Sequence, residues 1–167
     1  MRVFKTFIIA LAAVFGAIAC NPDTGGEGGN DKPTSEWSKS GSPVGEWKLT
    51  SWNGNTENLP FGIYLRLNAD NTFDLYQHTY TVLWIHYSGT FTLNGNTLKG
   101  VYADGESWGG DYTIAYSASE PQRIRLTRTT ANGEDVGIYT ATEIPSDVED
   151  LATEALNVRS VAIERFL

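Results

Sequence analysis

The sequence predicts an all-β domain: an eight-stranded antiparallel up-and-down barrel with a C-terminal α-helix packed outside it. Three observations lead there. Polar and apolar residues alternate in eight short runs between residues 46 and 142, the period-2 pattern of strands with one buried face. Turns rich in Asn, Asp and Gly join the runs, the sharpest at Asn94-Gly95, where Asn-Gly accepts the positive φ of a tight hairpin. Each run also follows its partner directly in sequence, and eight consecutive strands of this kind close into a barrel more naturally than they split into a sandwich.

The chain begins with MRVFKTFIIALAAVFGAIAC, a basic start at Arg2 and Lys5 followed by an apolar run from Phe7 to Ala19. That run is shorter than the roughly 20 residues a membrane-spanning helix needs, so residues 1–19 read as a cleaved export signal. The only cysteine follows at once, at Cys20. Ala17-Ile18-Ala19-Cys20 resembles the lipobox of bacterial lipoproteins. The resemblance implies a diacylglycerol on the Cys20 sulfur and an acylated (palmitate-type) amino group, which together hold a protein stably on a membrane. The other reading is ordinary secretion through an Ala-x-Ala site with a free thiol.

Residues 20–43 are rich in Gly, Pro, Ser and Asp with nothing periodic to bury, and read as a flexible acidic tether with a reach of about 25 Å. Trp37 is out of character in it, either docked on the domain or free. The acidic residues Asp23, Glu27, Asp31 and Glu36 resemble signals that send some lipoproteins to the outer face of the outer membrane. An outer-membrane, lipid-anchored location is expected, with its face left open.

The barrel is expected over residues 44–145. Its strands are Glu46–Trp52, Phe61–Leu67, Thr72–His78, a fourth ending at Leu93, Thr97–Tyr102, Trp108–Ser117, Arg123–Thr129 and Val136–Thr142. The helix is expected over residues 146–167. Ser146 and Glu149 form a capping box, and Val148, Leu151, Ala155, Val158 and Ala162 recur at spacings of three and four.

Composition restricts function. The formal charge is −8, and removal of Arg2 and Lys5 with the signal takes it to about −10. Such a chain repels nucleic acid, whose binding relies on Lys and Arg neutralising phosphates. A single cysteine excludes an internal disulfide framework and a cysteine-rich metal site.

Gly45-Glu46-Trp47 at the start of the first strand resembles the G-x-W motif of lipocalins, which implies that Trp47 sits at the closed base of the barrel. The run from Gly45 to Thr142, including Phe61-Gly62-Ile63-Tyr64-Leu65-Arg66-Leu67-Asn68 and Asp70-Asn71-Thr72-Phe73, is similar to lipocalin-like domains of Gram-negative lipoproteins. Lipocalins cross the base Trp with an Arg near the end of the last strand. None stands there, and Arg123 or Arg125 is the expected substitute.

Alternate connections of a meander lie at one end. The tight ones at 69–71 and 94–96 mark the closed end, so the longer loops at 53–60, 79–83, 103–107 and 130–135 surround the mouth, where barrels hold small ligands. Trp52, Tyr80, Trp84, Tyr87, Tyr102, Trp108 and Tyr112 gather there or face inward, as do Gly89 and Gly100, with Gly110 on the next strand. These residues either line a site for a small apolar or aromatic ligand, or plug a solid barrel whose surface aromatics bind an envelope protein or a glycan. The glycines are either a void or the kinks that let strands bend into closure.

Catalysis has little support. No G-x-S-x-G, P-loop or H-E-x-x-H pattern occurs. Asp104 and Glu106 are a possible carboxylate pair that reads better as a solvated turn. His78 and His86, with Asp74, are the one candidate metal set, though both histidines fall on outward positions. No enzyme, metal or cofactor is expected.

Overall fold

The computed structural model describes residues 36–57, 59–79, 83–154 and 164–167. The signal and Cys20 lie outside these, and the folded unit spans residues 34–167. The ladder of strands is β1 Trp37–Ser38, β2 Gly45–Trp52, β3 Gly62–Leu67, β4 Thr72–His78, β5 Ile85–Asn94, β6 Thr97–Tyr102, β7 Tyr112–Ser117, β8 Arg123–Thr130 and β9 Gly133–Ala141. A short helix, α1 Ser146–Leu151, and a two-residue strand, β10 Thr153–Glu154, follow.

β2 to β9 form a closed antiparallel barrel. Sequence neighbours pair throughout, and β2 pairs with β9 to complete the circle. Alternation decides which side each residue takes. Ile63, Leu65 and Leu67 of β3, Phe73 and Leu75 of β4, and Ile114 of β7 point inward and are almost fully buried. At the base, the Trp47 indole N–H donates to Pro43 O at 2.8 Å. Gly45 holds φ +151° directly beneath that ring, a conformation and a clearance that suit glycine.

Where two barrel strands diverge, a short extra strand occupies the free edge. β6 and β7 pair only at Thr97↔Thr113 and Leu98↔Tyr112 among the described residues. β1 fills the rest, with Trp37 opposite Ser117 and Ser38 opposite Tyr116. Thus Glu36–Pro43, expected within the free tether, belongs to the folded unit, because unpaired backbone on β7 offers it hydrogen bonds. Trp37 docks under Arg123 and Arg125, whose guanidinium carbons stand 5.4 and 5.0 Å from its ring. The two arginines expected over Trp47 therefore cap Trp37 instead.

The sixth strand also differs: it starts at Tyr112, not Trp108. A Cβ on Gly109 would fall 2.3 Å from Arg128 Nη1, and the Arg128 stem lies over Gly110. The Gly109-Gly110 pair lets that arginine press against the loop and frees Trp108 to turn into the barrel.

The helix lies outside the barrel, with Ile144 and Val148 packed on Tyr64 and Tyr76. It is shorter than the apolar stripe implied. Pro145 takes the N-cap position with no side-chain cap bond, and Ala152 is extended. The expected capping box does not form, because Glu149 pairs with Arg66 of β3. Leu151 is exposed, and β10 leaves the helix to pair in parallel with β5 at Ile85 and His86. Ala155, Val158 and Ala162 lie outside the described residues.

Candidate functional site

The barrel interior is filled. Tyr87, Tyr102, Trp108 and Tyr112 all belong to the main core, together with Trp47, Phe91, Tyr116 and Tyr139. The inward glycines are occupied from opposite: a Cβ on Gly100 would lie 2.0 Å from Cε2 of Trp108, and one on Gly89 would lie 2.7 Å from Cε1 of Phe73 and 2.1 Å from the Val101 carbonyl oxygen. Phe73 stacks edge-on against Trp108 with centroids 5.0 Å apart. Of the two readings of these glycines, the void is the one the packing excludes. Burial pushes the Tyr112 hydroxyl up to about 12, against the pull of Arg128, and its oxygen and the Trp108 indole nitrogen have no hydrogen-bond partner among the described residues.

The mouth lies where the loop count puts it, and residues 164–167 sit in it. Phe166 packs on Trp52 and Phe61, with ring centroids 4.7 and 5.5 Å apart. Arg165 pairs with Asp104 and lies over Tyr102, 4.4 Å from the ring centroid. The hydrogen bond from Arg165 holds the Asp104 carboxyl below its ordinary value, so Asp104 is an ionised rim partner with no character of a general acid. A space of about 430 Å³ remains beside this segment, bordered by Thr79 and Arg128.

The second opening is in the wall. β2 and β3 pair from Gly45↔Leu67 to Lys48↔Tyr64, yet both strands continue toward the mouth. Beyond that point β2 follows β9 and β3 follows β4. The parting leaves a side cleft of about 620 Å³, lined by Leu49, Leu59, Pro60, Phe61, Tyr64 and Trp84, with Lys48 and His78 at its polar side. The Trp84 ring lies on Gly62, where a Cβ would be 2.6 Å from its Cη2. Lys48 Nζ stands 5.6 Å from the Tyr64 centroid. Aromatic walls with one cation at the edge suit an apolar or aromatic molecule carrying an acceptor group.

Comparison with known families then decides the relationship. Residues 44–144 match the family described as the lipocalin-like domain. The chain belongs to the lipocalin-like domain family. The match covers more than half of the chain and coincides with the closed barrel, which is a ligand-binding fold. No curated protein and no solved structure matches it.

Within this lipocalin-like barrel, the site residues expected from sequence take different places. Tyr87, Gly89, Gly100, Tyr102, Trp108 and Tyr112 are spent on the core or on the floor of the occupied mouth. Trp52 holds Phe166, and Trp84 forms a wall of the side cleft. Tyr80 lies outside the described residues. Trp47, expected at the base, is buried in the main core near the start of β2, opposite Leu65.

The histidines do not converge on a metal, and among the described residues no group of three or more His, Cys, Asp or Glu gathers to hold one. His78 faces Trp84, 5.4 Å away. His86 stacks on Tyr76 and is gripped from both sides, by Asp74 Oδ1 at 2.9 Å and Glu154 Oε1 at 2.6 Å. Burial disfavours its charge, but the two carboxylates outweigh this and raise its pKa. That cluster fastens β10 to the outer wall. Sequence reading missed Phe61, Lys48 and residues 164–167 as site components. The first two follow from a lost strand pairing, and the last from a tertiary return that no local pattern announces.

Proposed function

We propose that this chain is a lipid-anchored, non-enzymatic binding protein of the Gram-negative outer membrane, and that it takes a small apolar or aromatic ligand in the side cleft between β2 and β3. The observation that carries the reading is the cleft: about 620 Å³ with Trp84, Tyr64 and Phe61 on its walls, beside a barrel interior already filled by its own side chains. Anchoring rests on Cys20 in its lipobox-like setting. Native mass spectrometry of protein purified from its own host tests the binding role, with a small molecule released on collisional activation as the expected result. Membrane fractionation of Cys20→Ala tests the anchor separately. The variant is expected in the soluble fraction, and persistence with membrane defeats that part of the reading.

A second reading draws on the filled interior itself. A solid barrel serves equally as a scaffold that presents surface aromatics, Trp84 among them, to an envelope protein or a glycan. Under that reading the protein emerges from its host free of small molecules and is retained on a glycan array or by a crosslinked envelope partner.

A further inference from the structure

The mouth of the barrel is shaped around a stretch of peptide. Gln77, fully buried near the mouth end of β4, uses both ends of its amide on the backbone of residues 164–166. Its Oε1 accepts from Phe166 N–H at 3.0 Å, and its Nε2 donates to Glu164 O at 2.9 Å. This two-way exchange is what one residue of a β-strand makes with its neighbour, offered here by a side chain. Tyr102 O–H, also buried, donates to Leu167 O at 2.9 Å. These three bonds read backbone and are indifferent to side-chain identity.

Side-chain selection comes from two further places. The Trp52 and Phe61 rings hold the aromatic side chain of Phe166. The Tyr87 and Tyr102 faces, with Asp104 at the rim, hold the cation of Arg165. Backbone bonds for affinity and pockets for alternate side chains are the division of labour of peptide-recognition sites. A mouth meant only to be sealed needs apolar filling. It does not need a buried amide, since a buried Gln whose partners leave costs stability.

We propose that the barrel mouth is a recognition site for an extended peptide carrying a basic residue followed by an aromatic and an aliphatic one, and that residues 164–167 are its self-ligand. A competing segment of another protein with the same Arg-aromatic-aliphatic order enters by displacing Glu164–Leu167. The self-ligand sets the threshold, because a tethered segment acts at an effective concentration on the order of millimolar. This site adjoins the side cleft and shares Phe61 with it, but its peptide test reads Arg165, Phe166 and Gln77 and does not depend on whether the cleft takes a small ligand.

The test uses the full chain and a fluorescein-labelled Glu-Arg-Phe-Leu peptide followed by anisotropy. In the double variant Arg165→Glu/Phe166→Ser, which disables the self-ligand and leaves every mouth residue intact, the peptide is expected to bind at least tenfold more tightly than to wild type. Peptides with Glu for Arg, or Ser for Phe, lose that binding. Equal or absent binding to both proteins, with the variant folded by circular dichroism, overturns the proposal. Should the double variant not fold, wild type answers: millimolar Glu-Arg-Phe-Leu moves the NMR signals of the Gln77 side-chain amide and a scrambled peptide does not. Signals that stay in place, or that move equally with both peptides, overturn it.

Discussion

Substituting Gly100 by Ala separates a filled barrel from an empty one. Gly100 sits inside β6, and a Cβ added there would meet the Trp108 indole at 2.0, 2.3 and 2.4 Å from Cε2, Cδ2 and Nε1. Ordinary carbon contacts are about 3.5–4.0 Å, so the ring has to retreat by roughly 1.5 Å. It has little room to do so, since Phe73 and Tyr112 flank it at centroid distances of 5.0 and 5.8 Å. Overpacking of this kind costs about 1–3 kcal/mol. Against it stands the gain of about 0.5–1 kcal/mol that Ala brings over Gly in a strand interior. Approaches as close as 2.0 Å to a flanked ring put the clash in the upper part of that range, about 2–3 kcal/mol, so the net expectation is a loss of about 1–2.5 kcal/mol, or a melting temperature lower by about 4–9 °C for a domain of this size. Urea denaturation and calorimetry both read it. Trp108→Ala alone should cost about 3–5 kcal/mol. In that background the indole that the new Cβ strikes is gone and Gly100→Ala should cost clearly less than in wild type, a non-additivity expected of residues in contact. A Gly100→Ala protein as stable as wild type or more so would refute the packing described for the interior.

Two further predictions concern the outer wall. The pKa of His86 is raised in the fold, so the stability it contributes is fully present below its unfolded value near 6.5 and is lost as pH rises through the folded value. Urea midpoints are therefore expected to fall as pH rises from about 6.5 through the raised folded value, and His86→Gln should flatten that part of the profile; an unchanged slope would exclude the Asp74–His86–Glu154 clamp. Asp74 acts in the opposite sense: its hydrogen bond to His86 lowers its pKa, so its share of stability is present above about pH 4 and fades as pH drops through the depressed value. Trp37→Ala removes the ring that Arg123 and Arg125 cover, and should cost about 1 kcal/mol. It should also open the β1 segment to limited proteolysis; a protection pattern identical to wild type would mean that β1 docks without its tryptophan.

How far the sequence carried the architecture depended on whether the information was local. β4 and β6 were legible to the residue, because unbroken alternation was bounded by turns whose Asn and Gly residues have one conformational use. The location of the mouth followed from counting loops, and the arrangement of Trp52, Thr79 and Arg128 around residues 164–167, with Asp104 paired to Arg165, agrees with it. The failures were tertiary. Trp108 kept phase with Tyr112, yet the close approach of Arg128 to Gly109 ended the strand between them. Ser146 and Glu149 had the spacing of a capping box, but Arg66 of β3 offered Glu149 a stronger partner. Trp37 lay in a stretch of tether composition, and only the unpaired edge of β7 gave it a place.

The same distinction explains the candidate site. Trp84 packs outside the main core with Tyr64, whereas Tyr87, Tyr102, Trp108 and Tyr112 lie in it. Whether they lined a space or filled it depended on Trp108 lying over Gly100 and Phe73 lying over Gly89, neither of which spacing reveals. The side cleft depends on β2 and β3 ceasing to pair after Lys48 and Tyr64, although both strands keep their alternation beyond that point.

The proposed ligand site of this lipocalin-like barrel is its side cleft and not its interior. Titration of the full chain with 1-anilinonaphthalene-8-sulfonate, an aromatic anion suited to a cleft of Trp84, Tyr64, Phe61 and Lys48, tests it most directly when followed by side-chain NMR. Saturable binding that moves the signals of Trp84 and Phe61, leaves Phe91 and Tyr116 in place, and weakens at least tenfold in Trp84→Ala is the predicted result. Movement of the Phe91 and Tyr116 signals, or the absence of saturable binding, would contradict it.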